Sequence, residues 1–159
     1  MPPKYFDFKI LFLWSLLGIF ATIIIKIGAQ NTLDSRLYYS GIDAVNYINS
    51  LSDKEVYRYL TTEFFDLGLI FIYTIILFLT LKRIFYKVET IKYLALIPAA
   101  LDFFETKTII ECLTNGKMSN HYYWLGYVTL FKWITGVILF VLIIIKLTVI
   151  FVRSKKAYK

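Results

Sequence analysis

The sequence contains very few of the residues that bind metals or form disulfides. Cys112 is the only cysteine among 159 residues, and His121 is the only histidine. A single cysteine excludes an internal disulfide and a cysteine-cluster metal site. The one histidine has no second metal ligand at a recognised spacing. We therefore expect no metal site and no cofactor.

Recognised catalytic and nucleic-acid-binding patterns are also absent from the sequence. It has no nucleophile-and-base arrangement, no phosphate-binding loop and no internal repeat. Basic residues outnumber acidic ones, 18 to 11, which gives a net charge of +7. No basic helix or aromatic platform stands apart from the apolar segments, so nucleic acid is not an expected partner. Whether the chain is an enzyme stays open.

Apolar residues are what the sequence has in excess. They make up 58% of the chain, whereas soluble domains contain about 45–50% even when glycine is counted. Most fall into four blocks separated by short charged stretches, at about 10–27, 64–82, 93–113 and 124–146. About 20 helical residues cross the hydrocarbon core of a bilayer. We predict an all-α bundle of four transmembrane helices that forms one domain over 1–159.

The first block follows Lys4 and Lys9 and therefore resembles the start of a signal peptide. Its apolar stretch from Ile10 to Ile25 is longer than the usual apolar region of such a peptide. No clean cleavage site of small residues follows it. We interpret the block as a retained membrane anchor.

Charged residues at the ends of the blocks predict the orientation of the chain. The stretch between the first two blocks, about 28–63, is mainly acidic. The linker after the second block and the stretch after the fourth are basic, with Lys82, Arg83, Lys87 and Lys92 in the linker and Arg153, Lys155, Lys156 and Lys159 at the end. Basic residues favour the cytoplasmic side. We predict a multi-pass protein of the cell membrane with both termini in the cytoplasm.

The outer segment carries two signals for the start of a helix. Ser40 is followed three residues later by Asp43, and Ser52 by Glu55. In this pattern the serine caps free N–H groups and the acid reaches back to the serine. We predict a helical outer segment over about 40–63, in which the helix from Ser52 runs directly into the second transmembrane block.

The third block contains acids where charge is costly. Asp102 and Glu105 are three residues apart, so they project from nearly the same side of a helix. A charge at the centre of a transmembrane helix costs about 2.5–3.5 kcal/mol. These acids are therefore expected to be protonated or to face a cation or a water-filled cavity. Pro98, one turn earlier, can kink the helix and free a carbonyl near them, although such a placement is also common in plain membrane helices.

Lys132 is the expected cationic partner of these acids. If the fourth helix spans Trp124–Ile145, Lys132 lies about 12 Å below the outer surface, at a depth similar to that of Glu105. Asp66 enters the second helix from the same side, and nearby hydroxyls complete the set. We predict a charge network or ligand site in the outer half of the bundle, formed by Asp66, Tyr73, Asp102, Glu105, Thr129 and Lys132.

Plainer interpretations of these residues stay open at the level of sequence. If the fourth helix instead spans Trp133–Val152, Lys132 lies at the outer interface and Lys146 extends toward the inner one. Asp66 also suits an interfacial position. Asp102 also suits a polar clamp between helices.

The order of these motifs resembles a known pattern. It consists of Leu51-Ser52, Tyr59-Leu60, Asp66-Leu67 with Tyr73, Pro98 followed by Asp102 and Glu105, and Thr129 with Lys132. Over about residues 34–135 this order resembles a family of small four-helix bacterial integral membrane proteins. The chain has Ser52, Ile70 and Thr106 where that family has glycine, proline and asparagine. The resemblance implies a polar intramembrane site and no particular reaction.

Two functional hypotheses follow from the sequence. In the first, the intramembrane acidic and basic residues bind a lipid-like ligand, a small polar ligand or protons, with membrane lipids as partners. In the second, the chain is a non-catalytic assembly factor or subunit that acts through a membrane-protein partner or a second copy. The charges then serve only to pack the helices.

Overall fold

The computed structural model describes residues 8–27, 32–115 and 122–157, and this part of the chain is all-helical, as predicted. It contains five α-helices: α1 (Phe8–Ile27), α2 (Gly41–Ser50), α3 (Asp53–Ile84), α4 (Leu96–Thr114) and α5 (Leu125–Ala157). Two short 3₁₀ helices cover Leu33–Ser35 and Glu89–Ala95. The described residues contain no strand.

The predicted starts of α2 and α3 are confirmed. The Ser40 hydroxyl accepts a hydrogen bond from the Asp43 N–H, and the Asp43 carboxylate accepts one from the Ser40 N–H. The Glu55 carboxylate accepts hydrogen bonds from the N–H and the hydroxyl of Ser52. From this start α3 continues without a break for 32 residues, or about 48 Å. The predicted continuity from Ser52 into the second apolar block is therefore correct.

Pro98 lies in the first turn of α4. Pro98 is the third residue of α4, which begins at Leu96 after the 3₁₀ helix Glu89–Ala95. N–H groups in the first turn of a helix have no partner within that helix, so proline costs little there. Pro98 therefore lies at the start of the helix that carries Asp102 and does not interrupt it.

The helices pack as an incomplete ring. α1 packs against α3, α3 against α4, and α4 against α5. α5 also contacts α3 to a smaller extent, whereas the described residues of α1 form no comparable packing with α5. The ring is therefore open between α1 and α5.

Two clusters of buried residues lie at opposite ends of the bundle. The larger, at the end where α2 lies, joins the 32–40 segment to α3, α4 and α5 through side chains such as Leu33, Tyr39, Tyr59, Ile109 and Leu125. The smaller, at the other end, contains Leu81, Ala95 and Leu139. The middle of the bundle lies between these two clusters.

Two described helices, α3 and α5, are long and apolar enough to cross a membrane. Few residues of α5 between Leu125 and Ile150 are buried, so much of the apolar surface of this stretch is exposed. In α1, a shorter apolar stretch covers Phe12–Ile23. α4 is long enough but carries four charged residues, Asp102, Glu105, Lys107 and Glu111.

Candidate functional site

Lys132 on α5 forms ion pairs with two acids on α4. Its Nζ atom lies 2.9 Å from Asp102 Oδ1 and 2.7 Å from Glu105 Oε2. The side chain of Lys132 is only 12% exposed, and Glu105 is completely buried. The spacing of three residues on α4 lets both carboxylates reach one ammonium group, as the sequence predicts. The Lys132 side chain is therefore mostly covered and lies against α4.

Hydroxyl groups from three other positions complete this network. The Tyr73 hydroxyl on α3 donates to Asp102 Oδ2 at 2.8 Å. The Thr129 hydroxyl, one turn before Lys132, donates to Glu105 Oε1, and the Tyr39 hydroxyl donates to the same oxygen at 3.1 Å. Every oxygen of the two carboxylates thus has a polar partner. Such pairing is what buried charges require.

Asp66 faces the same region from α3. Its Oδ2 atom accepts a hydrogen bond from the Thr106 hydroxyl at 3.2 Å. Asp66 also lines the cavity that Asp102 and Lys132 line. One turn before Asp66, Glu63 is completely buried. α3 therefore brings two acidic side chains of its own, Glu63 and Asp66, to this part of the bundle.

A cavity of about 560 Å³ lies between α1, α3, α4 and α5. Its polar lining includes Asp66, Tyr73, Asp102 and Lys132. The rest is mostly apolar, with residues such as Leu17, Leu69, Ile76, Leu77, Phe140 and Ile143. Ligand sites in proteins typically have volumes of about 300–1,000 Å³ and an apolar lining with few polar groups. The cavity fits that description.

The polar groups of the cavity are concentrated toward the α2 end. On α3 the lining begins at Asp66, continues through Tyr73 and ends at Thr80, a distance of about 21 Å along the helix. Beyond Tyr73 the lining on α3 and α5 is apolar apart from Thr80. The cavity is therefore elongated, with a charged half and an apolar half.

One side of the cavity is open. Trp14 on α1 and Phe140 on α5 both line it, yet they are 52% and 64% exposed. This is the gap in the helix ring between α1 and α5. An elongated apolar molecule has lateral access through it.

The 32–40 segment covers the α2 end of the cavity. The Trp133 Nε1–H on α5 donates to the Arg36 carbonyl at 3.0 Å, and Ser35 lines the cavity. The Tyr38 ring packs edge-on against Tyr127 on α5. The segment is held close to α5 because Gly126 has no side chain: a Cβ atom there would collide with the Tyr39 carbonyl.

The six predicted site residues come together in the structure. Tyr73, Asp102, Glu105, Thr129 and Lys132 share one network, and Asp66 lines the adjoining cavity wall. Other charged or polar residues of the chain do not belong to this site. Lys107 and Glu111 form an exposed pair on α4, and His121 lies outside the described residues. The described residues contain no cluster that could hold a metal ion.

Sequence reasoning missed three contributors to the site. Tyr39 lies in the connection before α2, and no periodicity places its hydroxyl beside Glu105. Thr106 stands where the resembled pattern has asparagine, yet its hydroxyl donates a hydrogen bond to Asp66. Trp133 resembles an ordinary interfacial tryptophan, and only its bond to Arg36 shows that it holds the 32–40 segment.

Comparisons with known protein families, curated proteins and solved structures found no match to this chain.

Proposed function

We propose that this chain is an integral membrane protein whose four long helices, α1, α3, α4 and α5, all cross the bilayer. Support comes from the apolar and largely exposed surfaces of α3 and α5. A membrane span that carries acids is tolerated when the acids face other helices and are paired. Asp102 and Glu105 of α4 meet both conditions.

The proposed orientation follows the distribution of basic residues. Lys82 and Arg83 lie in the last turn of α3, and Lys87 and Lys92 lie between α3 and α4. These basic residues favour the cytoplasm for that end of α3, for the linker and for both termini. The 32–40 segment and α2 then lie on the outer side of the cell membrane. The charged half of the cavity is in the outer half of the bundle.

We further propose that the cavity binds a lipid-like ligand. The observation that carries this proposal is the combination of a charged network and an apolar channel in one cavity of about 560 Å³. The head of an amphiphile would lie beside Asp66, Asp102 and Lys132, and its chain would extend between α3 and α5 toward Thr80. It would enter laterally between α1 and α5 because the 32–40 segment covers the α2 end of the cavity.

Filling the cavity tests this proposal. Gly136 lines the cavity, and no atom lies within 4 Å of a Cβ atom added there. Gly18 on α1 is equally unobstructed and serves as the matched control. We expect wild-type protein and Gly18→Phe to retain a lipid during purification in a mild non-ionic detergent, as detected by native mass spectrometry. Gly136→Phe should lose it while keeping its helical circular dichroism spectrum. Equal retention by the two folded variants would refute the proposal.

A second candidate function rests on the same ion pairs. Because they join α4 to α5, and Tyr73 joins α3 to α4, they would also suit a non-catalytic assembly factor whose charges only fix the packing. Its partner would be another membrane protein or a second copy of the chain.

A charge swap separates the two candidates. The double variant Glu105→Lys with Lys132→Glu keeps one cation among the carboxylates and moves it from α5 to α4. A purely structural network should tolerate this exchange, with stability and assembly retained. A ligand site should lose its lipid, because the cation no longer faces the cavity from α5.

A further inference from the structure

A second cavity, of about 130 Å³, lies where α3 ends and the 3₁₀ helix Glu89–Ala95 begins. We call it the linker pocket. It lies at the end of the bundle opposite α2, beside the smaller core cluster, which Phe85 also contacts. Its lining consists of two lysines, two aromatic residues, a valine and an acid: Lys82, Phe85, Tyr86, Val88, Glu89 and Lys92. A cavity needs only about 10–15 Å³ to hold one water molecule, so the linker pocket admits a group of several heavy atoms.

The ammonium group of Lys92 is positioned by two aromatic rings. Its Nζ atom lies 5.2 Å from the centre of the Tyr93 ring and 6.0 Å from that of the Phe78 ring. These rings pack edge-on against each other, and Phe78 packs against the smaller core cluster. A cation–π contact attracts the ammonium group without neutralising it. Lys92 is therefore held in place and keeps its full charge.

Lys146 on α5 brings another positive charge to the same end of α3. Its Nζ atom lies 5.4 Å from the centre of the Phe85 ring, which lines the linker pocket. Lys146 is four residues from the end of the apolar stretch Leu125–Ile150, or about 6 Å. In the proposed bilayer, lysines near the end of a membrane span extend toward the headgroup layer. The contact with Phe85 therefore puts the linker pocket at the depth of the lipid phosphates.

These lysines have no acidic partner among the described residues. Lys82, Lys92 and Lys146 form no ion pair there, and neither does Glu89, the one acid among the described residues that line the pocket. Three cations thus face one acid at this end of the bundle. Basic pockets beside the cytoplasmic ends of membrane helices suit anionic lipid heads.

We propose that the linker pocket binds the phosphate of an anionic phospholipid in the inner leaflet. Lys82 and Lys92 would contact the phosphate, and Lys146 would add to the attraction from α5. The inference goes beyond the proposed function, because both the site and the ligand differ from those of the large cavity. It shares only the membrane setting with that proposal.

Exposed apolar surface favours a lipid over a free phosphate ion. Tyr86 is 72% exposed and Val88 is 49% exposed, and both line the linker pocket. The glycerol backbone and acyl chains of a lipid would cover this surface, and burying apolar area is favourable. A free ion gains nothing from it.

Native mass spectrometry of the full chain in dodecyl maltoside tests the proposal with three probes: dioleoylphosphatidylglycerol, dioleoylphosphatidylcholine and inorganic phosphate. The two lipids share their chains and a phosphate, but only phosphatidylglycerol has a net negative charge. Both the wild-type chain and Gly136→Phe are titrated. Lipid bound in the large cavity is then the part that Gly136→Phe removes. Circular dichroism confirms that each variant keeps its helices.

We expect phosphatidylglycerol to bind about tenfold more tightly than phosphatidylcholine, in the wild-type chain and in Gly136→Phe alike. Lys82→Gln and Lys92→Gln should each lower the affinity for phosphatidylglycerol by about fivefold, which is the usual contribution of one lysine near an anionic lipid. Glu89→Gln should raise it, because it removes the acid that opposes an anion. Lys54→Gln removes an exposed lysine from the opposite end of α3 and, as the matched control, should change neither affinity.

Three results would overturn the proposal. Equal affinities for the two lipids would mean that the pocket does not select an anion. An equal loss in Lys54→Gln and in the two pocket variants would mean that net charge acts without a site. Displacement of phosphatidylglycerol by inorganic phosphate at the same concentration would assign the pocket to the free ion. The proposed function fails separately, since it depends on lipid that Gly136→Phe removes and not on Lys82 or Lys92.

Discussion

Lys132 neutralises the carboxylates of Asp102 and Glu105 on α4, which could not otherwise stay buried away from water. Transferring a carboxylate into an apolar environment is costly, and the cost is recovered only when paired charges and hydrogen bonds surround it. Asp102 and Glu105 have both, from Lys132, Tyr73, Thr129 and Tyr39. Removing one member of such a set leaves the others buried without compensation.

We therefore expect Lys132→Met to destabilise the protein strongly. Breaking a buried ion pair from one side typically costs about 3–5 kcal/mol. The matched control is Lys107→Met, which breaks an exposed pair with Glu111 and should cost at most about 1 kcal/mol. Chemical unfolding in detergent micelles, followed by circular dichroism, measures both. Equal losses in the two variants would contradict the structural role given to Lys132.

At the residue scale, the sequence predicts the site well where helical spacing decides it. Asp102 and Glu105 are three residues apart, and a cation near them is one of the arrangements that a transmembrane interpretation predicts, which leads to Lys132. The contribution of Tyr39 had no such signal, because its position depends on how the 32–40 segment folds back over α5. For Asp66, the sequence does not predict the contact with Thr106 or the position on the cavity wall.

Among the secondary-structure elements, the 32–40 segment depends on close approach to α5. The Tyr39 carbonyl contacts the backbone at Gly126, and the Trp133 side chain donates to the Arg36 carbonyl. The same segment provides the Tyr39 hydroxyl for Glu105. Loosening it would therefore weaken the network and uncover the α2 end of the cavity.

Gly126→Ala is expected to displace this segment. The added Cβ atom would overlap the Tyr39 carbonyl, which belongs to the backbone and cannot rotate away. Such overpacking usually costs about 1–3 kcal/mol. Gly136→Ala on the same helix adds a methyl group to open space and should not destabilise the fold through a clash. Unfolding midpoints distinguish the two variants, and equal midpoints would show that the close approach is dispensable.

The starts of α2 and α3 should respond to acid. Hydrogen bonds from Ser40 hold the pKa of Asp43 below its usual range, and those from Ser52 do the same for Glu55. A carboxylate whose pKa is lower in the folded state stabilises that state above its unfolded pKa, near 4. This stabilisation is lost as the pH falls through the lowered folded pKa.

The thermal midpoint of the wild-type chain should therefore exceed that of Asp43→Asn at about pH 6, and the difference should shrink as the pH approaches 2. The two midpoints are compared at each pH in the same detergent. A difference that stays constant over this range would mean that the Asp43 charge contributes nothing to the start of α2.

Local signals identified these elements where the chemistry is local. The serine and acid pairs fixed the starts of α2 and α3 because their hydrogen bonds lie within one turn. The effect of Pro98 depends on its position in the helix, and the sequence alone does not show that the 3₁₀ helix Glu89–Ala95 delays the start of α4 to Leu96. The order in which helices pack, and hence the gap between α1 and α5, follows from tertiary contacts that no single segment encodes.

For the whole molecule, the proposed topology makes a direct prediction about accessibility. Ser50 at the end of α2 and Lys87 in the linker after α3 are both exposed. Cys112 is buried and can be replaced by serine to give a background without cysteine. In intact cells, a membrane-impermeant maleimide should label Ser50→Cys. It should label Lys87→Cys only after the membrane is permeabilised. The reverse pattern would invert the proposed orientation.

In the proposed bilayer setting, the surrounding lipid supplies the missing wall of the cavity at the gap between α1 and α5. Bulk lipids are present at very high concentration around a membrane protein, so their chains compete with any specific molecule for that place. The affinity measured in vesicles is then the constant for exchange with the host lipid. It is weaker than the affinity measured in a detergent that competes poorly for the gap. A host lipid whose chains fill the gap well would therefore compete with the bound molecule and lower its apparent affinity.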